Sequence, residues 1–246
     1  MSKTKSSSAL TFLQVFGELI LTAGVIAMLY VVWQLFYTDY TADKAQKKMV
    51  HNISKNFSVV KPAQDNNMSS FGDPVVDTST KQYGQQYGVI YIPRFGADYS
   101  RPLVQGTGVD ILDTLGIGHY VDSQEPGQVG NFAVAGHRNT SGSVLNLIGE
   151  LQPGDHIYVQ TKDGFYQYTY RNSMYIHPSR SDVIDPVPTV DGAKPNERYM
   201  TLTSCHPRYT DHERVAAYAV YTGWRPASAG APAEIAKIVA QVQGDA

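Results

Sequence analysis

The residues best suited to chemistry lie in 200–214, "MTLTSCHPRYTDHER". Cys205 is the only cysteine among 246 residues, so it forms no internal disulfide and is either an inert buried thiol or a nucleophile. It closes an apolar, β-branched run that reads as a strand, and Arg214 opens the next such run. The loop 206–213 therefore returns both residues to one rim of a sheet. A guanidinium stays protonated at any ordinary pH, and beside a thiol it can steady a thiolate or a developing oxyanion.

A thiol nucleophile also needs a proton carrier, and the chain holds seven histidines. His137 is the best placed. In "NFAVAGHRNTSG" an apolar strand, 132–135, runs into a Gly-His-Arg-Asn turn that presents the imidazole in an exposed loop. His206 adjoins the thiol, but consecutive side chains on a strand point to opposite faces. His212 lies in the loop, and His119 in "GIGHY" follows a predicted helix. His51, His156 and His177 have no supporting context and read as solvated or hydrogen-bonded side chains. With ordinary pKa values of about 8.5 for Cys and 6.5 for His, roughly one per cent of molecules would carry thiolate and imidazolium together at neutral pH. A shifted ion pair and a small reactive fraction are both open.

The elements that must position these residues read as all-β from residue 88 onward. "GVIYIP", "PLVQGT", "RYMTLTSC" and "RVAAYAVYTGW" are strands, and "HIYVQTKDGFYQYTYRN" is a pair around an Asp163-Gly164 turn. Short helices are expected at 109–115 and 143–151, and the pattern suggests a barrel or a sandwich. The 17 tyrosines fit half-buried sheet surface better than a cofactor role.

Residues 19–37, "LILTAGVIAMLYVVWQLFY", carry no charge and as a helix span about 28 Å, close to a bilayer core of about 30 Å. Trp33, Tyr30 and Tyr37 gather at one end, and no small-x-small cleavage site follows, so the segment reads as a retained anchor. Lys3 and Lys5 precede it while Lys44, Lys47, Lys48 and Lys55 follow, a count that favours a cytoplasmic C-terminal part. The expected divisions are 1–18, an N-terminal cytoplasmic segment; 19–37, the anchor; 38–87, a stalk and linker arm; 88–226, a catalytic domain; and 227–246, a tail. Within the stalk Met49, Ile53 and Phe57 share a helical face. The tail is too short to span a membrane, though its middle suits a small amphipathic helix. A net charge of -2 leaves no basic face for nucleic acid.

"TLTSC" with Arg214 nine residues on, together with "VAGHR" about seventy residues earlier, resembles the signature of the sortases, membrane-anchored cysteine transpeptidases of Gram-positive bacteria. "GHYVDSQEPGQVGNFAVAGHR" and the Cys-His-Pro run are most similar to the class E or class D branches. The resemblance covers 88–224. It implies a closed, eight-stranded β-barrel with short helices, preceded by a transmembrane helix, and a domain outside the cell membrane, against the lysine count. It also implies roles: Cys205 as nucleophile, His137 as general acid/base, Arg214 as the substrate-orienting and oxyanion-stabilising group, and Thr203 and Ser204 as groove residues that bind substrate. The implied partners are a sorting motif of the Leu-Pro-x-Thr-Gly or Leu-Ala-x-Thr-Gly type and a peptidoglycan amine such as that of lipid II. Substrate selection is expected in 172–197.

Asp110, Asp113, Asp122 and Glu125 lack metal-ligand periodicity, so neither metal nor other cofactor is expected. Asp73-Pro74-Val75 lacks the aromatic of a pilus-sortase lid, which favours anchoring of surface proteins over pilin polymerisation. An L,D-transpeptidase would need glycine directly before the cysteine. A non-catalytic anchored β-domain with a buried thiol is the remaining rival.

Overall fold

A computed structural model describes residues 8–33, 38–57, 61–140 and 142–244. Eight strands are formed: β1 (Gln86–Tyr91), β2 (Ser100–Gln105), β3 (Ile117–His119), β4 (Gly130–Ala135), β5 (His156–Gln160), β6 (Gly164–Ile176), β7 (Arg198–His206) and β8 (Glu213–Pro226). They close in the order β1-β2-β3-β4-β7-β8-β6-β5, with β5 returning to β1. The β2–β3 and β4–β7 pairs are parallel, the others antiparallel. The expected barrel with short helices is thus the fold. Its eighth strand, β3, has three residues, too few for alternation to show in the sequence.

Alternation elsewhere sorts side chains to the two faces of the barrel wall. Ile90 and Ile92, Phe132 and Val134, Ile157 and Val159, Met200 and Leu202, and Val215 and Ala217 fill the interior. Val89, Tyr91, Tyr158 and Phe165 point outward into a second apolar cluster. That cluster exists because two helices cover the outer wall, α2 (Thr38–Lys55) through Val50 and Ile53, and α4 (Ala233–Gln243) through Ile235, Ile238 and Val239. The expected stalk is therefore packed against the barrel. Its buried residues are Gln46, Val50, Ile53 and Ser54, and Phe57 packs partly buried against the same cluster, so the expected Met49-Ile53-Phe57 face shares Ile53 and Phe57 with the packed one. His51 Nδ1 joins the Val242 carbonyl at 2.8 Å, tying α2 to α4.

Residues 61–85 wrap the barrel as an ordered strap. Met68 is buried and its carbonyl accepts from the Trp224 amide at 2.8 Å. Arg225 Nη1 donates to Asp65 Oδ1 at 2.6 Å, and Tyr166 OH to the Val75 carbonyl at 2.5 Å. Lys81, with 4% of its side chain exposed, pairs with Glu125 at 3.0 Å. Several tyrosines are fully buried in the barrel wall, Tyr91, Tyr158, Tyr166 and Tyr168 among them, and their hydroxyls are partnered: Tyr91 OH donates to Gln160 Oε1 and Tyr168 OH accepts from the Gly127 amide. Burial pushes the phenols of all four above their ordinary range.

Of the two expected short helices, α3 (Val109–Thr114) is present. The other, at 143–151, is a run of turns ending in one 3-10 turn, Ile148–Glu150. Gly142 at φ 83° and Ser143 at φ 46° hold the entry in the left-handed region, which a right-handed helix cannot continue. At the N-terminus α1 (Ser8–Val32) includes a 23-residue stretch, Leu10–Val32, long and apolar enough to cross a membrane. It starts earlier than the expected 19–37 and takes in Glu18, whose Oε1 accepts from Gln14 Nε2 at 3.4 Å. The far end of the expected span, 34–37 with Tyr37, lies outside the described residues.

Candidate active site

The strand pattern that buries Met200, Leu202, Val215 and Ala217 inward must turn Thr203, Cys205, Arg214 and Ala216 outward. Cys205 and Arg214 are direct cross-strand partners, as are Thr203 and Ala216. The thiol and guanidinium therefore start from one face of one rung of the ladder, where cross-strand Cβ atoms lie about 5 Å apart. Strand β4 lies on the other side of β7 in parallel register, Ala135 against Thr203, and carries the chain directly into His137. All three residues line one groove of about 440 Å³, and Thr203 and Ser204 are among its other lining residues. The expected site residues are thus brought together, and no residue of the 61–85 strap lines that groove.

The "VAGHR" turn owes its shape to close packing. A Cβ on Gly136 would sit 2.7 Å from Val144 Cγ2 and 3.0 Å from Leu145 Cγ, so only glycine allows 144–145 to fold back over the strand end. The Leu145 amide donates to the His137 carbonyl at 2.9 Å, and Ser204 Oγ donates to the Gly136 carbonyl at 2.7 Å. The Ser204 hydroxyl thereby ties the strand of the thiol to the turn of the imidazole.

Three residues that sequence reasoning left without a role contact the site. Asp113 on α3 meets His137 Nε2 through Oδ1 at 2.6 Å, fixing which ring nitrogen is turned from the carboxylate. Arg138 is buried, and its Nη1 donates to the Cys205 carbonyl at 3.2 Å and to His206 Nδ1 at 2.8 Å. Burial first, then the nearby Arg208 charge, lower its pKa. Tyr120 OH hydrogen-bonds Thr203 Oγ1 at 3.0 Å across the groove wall. Arg138 and Tyr120 stood inside the quoted motifs, but only tertiary contact gives them partners. Arg214 Nη1 donates to the carbonyls of Asp211 and Glu213, at 2.8 and 3.0 Å, which folds the β7–β8 loop around it.

None of the other histidines is among the residues that line the groove. His206 stacks on Tyr175 with ring centroids 4.0 Å apart. His119 is buried in β3; Tyr87 OH lies 2.7 Å from its Nδ1, and its Nε2 donates to the Gln124 carbonyl at 3.0 Å. His156 meets Glu234 at 2.7 Å on the outer wall.

The groove walls are aliphatic. A 3-10 turn, Asp182–Ile184, brings Val183 and Ile184 over the small Ala216, beside Ile176. Asn131 holds this turn: its Nδ2 donates to the Val183 and Asp185 carbonyls, at 3.2 and 3.0 Å, while its Oδ1 accepts from Thr201 Oγ1 at 2.9 Å. Leu112 closes the opposite side. Among the described residues, no cluster of three His, Cys, Asp or Glu side chains is arranged to hold a metal ion.

A closed eight-stranded barrel that turns a thiol, an imidazole and a guanidinium into one groove is the architecture of a sortase. The sortase-domain family matches residues 90–222, and the chain belongs to this family of cysteine transpeptidases. It is 31% identical over 235 residues to sortase SrtE1 of Streptomyces coelicolor, an alignment covering 93% of this chain and 62% of that protein. The chain thus spans less than two thirds of that relative's length. Among solved structures, the SrtA sortase from Actinomyces oris superposes with a TM-score of 0.62 at 34% identity, covering 68% of this chain and 96% of that one. Sortase E1 from Streptomyces coelicolor, solved with a tripeptide in the active site, gives a TM-score of 0.56 at 33% identity, covering 63% and 99%. These relatives make the chain a class E-like sortase.

Proposed function

We propose that this protein is a membrane-anchored transpeptidase that cleaves a sorting motif between Thr and Gly and joins the acyl part to a peptidoglycan-precursor amine. The observation that carries the reading is the convergence of Cys205, His137 and Arg214 on one aliphatic-walled groove. The groove is the donor site. An extended peptide lies along it with its apolar first residue against Ile176, Val183 and Ile184. Both Leu-Pro-x-Thr-Gly and Leu-Ala-x-Thr-Gly are motifs of the class it resembles.

In the first half-reaction the Cys205 thiolate adds to the Thr carbonyl while Arg214 steadies the developing oxyanion. The C–N bond breaks, and His137 gives its proton to the departing Gly amine. The resulting thioester keeps its acyl-transfer potential, so no nucleotide is required. In the second half-reaction an amine takes the acyl group and His137 removes the surplus proton. Arg138, through the Cys205 carbonyl, and Asp113, through the His137 ring, are positioning residues. The apolar α1 is the membrane anchor, and the barrel lies outside the cell, as the family resemblance implies.

The test is incubation of the full chain in detergent micelles with each motif peptide and an amine. The expected result is a thioester on Cys205 visible by intact mass, and an amide product. Cys205→Ala should abolish both, and His137→Ala and Arg214→Lys should each lower kcat/KM by about a hundredfold or more, since an ammonium lacks the planar donor fork. Retention of most activity in His137→Ala would remove that residue from its role. A membrane-impermeant maleimide applied to intact cells reports which side Cys205 faces.

A further inference from the structure

Helix α2 is two-faced in charge as well as in burial. Its inner face packs on the barrel through Val50 and Ile53, with Gln46 wholly buried. Its outer face carries Lys44, Lys48 and Lys55, all exposed. At about 100° per residue these three fall within about 40° of one another, and they extend over about 16 Å of helix. Among the described residues none of the three forms an ion pair, whereas Lys47, on the flank, is held by Asp43 and Asp98 at 3.2 and 3.3 Å. Like charges four residues apart, as in Lys44 and Lys48, repel slightly, so the helix itself gains nothing from the row. Nor does the row reflect a basic chain, since the net charge is -2. Tyr40, one turn before Lys44, is 64% exposed.

We propose that α2 lies on the bilayer surface with Lys44, Lys48 and Lys55 against the headgroups of anionic phospholipids, and that this contact fixes how the barrel is turned over the membrane. The proposal rests on the reading of α1 as a membrane anchor. Chain length supplies the proximity. The apolar α1 ends at Val32 and α2 begins at Thr38, so six residues, about 20 Å at full extension, separate the two helices. Charge supplies the partner. An ammonium has three N–H donors and no acceptor, which suits the oxygens of a phosphodiester. Each basic group near an anionic bilayer strengthens attachment about fivefold, provided that it sits within a Debye length, about 8 Å, of the surface. Three ammonium groups in one row meet that condition together when the helix lies flat. Tyr40 then stands at the interface, where its amphipathic ring is favoured.

Because α2 is packed on the barrel wall, a headgroup contact on its outer face orients the whole body. Gln46, on the inner face, lies against Gly142 in the turn that follows His137. That turn is then held about one helix diameter, 10 Å, from the headgroups. The lysines that follow the anchor thus have a task other than setting which way α1 inserts, and the contact forms on whichever side of the membrane the barrel lies.

The test reconstitutes the full chain, carrying Cys205→Ala and Asn52→Cys, into vesicles of phosphatidylcholine alone or with about a third phosphatidylglycerol. Asn52 is exposed on the outer face of α2, and a fluorophore on its replacement reports quenching by a fixed fraction of nitroxide-headgroup lipid. Phosphatidylglycerol should increase quenching by about twofold or more, and high salt should reverse the increase. A label at Val190→Cys, over β7 and β8 on the far side of the barrel from α2, should respond little. Changing Lys44, Lys48 and Lys55 together to Gln should abolish the response, and changing them to Arg should keep it. Equal quenching in the two kinds of vesicle, or a response that survives the Gln variant, would overturn the proposal. Quenching that rises equally at positions 52 and 190 would show lipid contact without a preferred face and also overturn it. So would a probe that responds to soluble polyglycerol phosphate and not to phosphatidylglycerol, which would give the face to an anionic polymer. Vesicle flotation after an alkaline wash reads the anchor separately: a chain that floats but shows no lipid-dependent quenching loses only this proposal, and one that does not float loses the anchor as well.

Discussion

His119 shows how one buried side chain sets a pH limit on the fold. Burial holds its pKa down at about 4, well below the ordinary 6.5; the hydrogen bond to the Gln124 carbonyl opposes this shift and the nearby Lys81 charge adds to it. Between these values the unfolded chain binds a proton that the folded chain does not. The stabilisation is therefore complete above about pH 6.5 and is lost as pH falls toward 4, by on the order of 3 kcal/mol in all. Denaturant unfolding at pH 7.5, 5.5 and 4.5 should show this decline in the natural protein and a shallower one in His119→Gln; parallel declines would remove His119 as the cause. Asp77, held down at about 2 mainly by Ser79, acts in a separate window below pH 4.

At the scale of elements, the groove depends on a loop wall held by a small apolar cluster and one buried amide. The turn Asp182–Ile184 is held to β4 by Asn131, which is fully buried and spends its amide on two loop carbonyls. Asn131→Ala removes those donors and also strands the Thr201 hydroxyl, a loss of about 2–3 kcal/mol for buried, partnered groups. The expected phenotype is a raised KM for the motif peptide with thioester formation at saturating peptide largely kept, because the β7–β8 ladder that carries Cys205 and Arg214 is untouched. A loss confined to the saturated rate, with KM unchanged, would show that the wall does not bind peptide.

At the scale of the whole molecule, α2 belongs to the folded body, although its sequence suits a spacer. Val50 and Ile53 are buried in one apolar cluster with residues of β1, β5 and α4, and Asp43 pairs with Arg101 of β2 at 2.7 Å. Gln46, wholly buried, lies against Gly142 in the turn that follows His137, so the same helix buttresses the rim that carries His137. A chain of residues 38–246 should keep the thermal stability of the folded body. One of residues 58–246 should lose about 3 kcal/mol or more from the two aliphatic side chains alone, a fall in Tm on the order of 10 °C. Superimposable melting curves for the two truncations would show that α2 packing contributes nothing.

What was legible in the sequence follows from its periodicities. Seven of the eight strands are apolar, β-branched or aromatic runs long enough to be read, and Cys205 and Arg214 fall at one rim because they end and begin strands joined by one local loop. The lone thiol, the "VAGHR" turn and their spacing were enough to suggest the family. Local patterns have no access to what packs from a distance. Three residues cannot display the alternation of β3, and a left-handed entry at 142–143 undoes the expected helix there. Nor does spacing tell a solvated tyrosine from Tyr168 in the barrel wall, or a spacer helix from one whose Val50 fills a second core. Asp113 against His137, and Arg138 against the Cys205 carbonyl, join residues 24 and 67 positions apart. The sequence by itself determined which groups could react. Only closure of the barrel decided what surrounds them, since burial and hydrogen-bond partnership are properties of residues brought together by the fold.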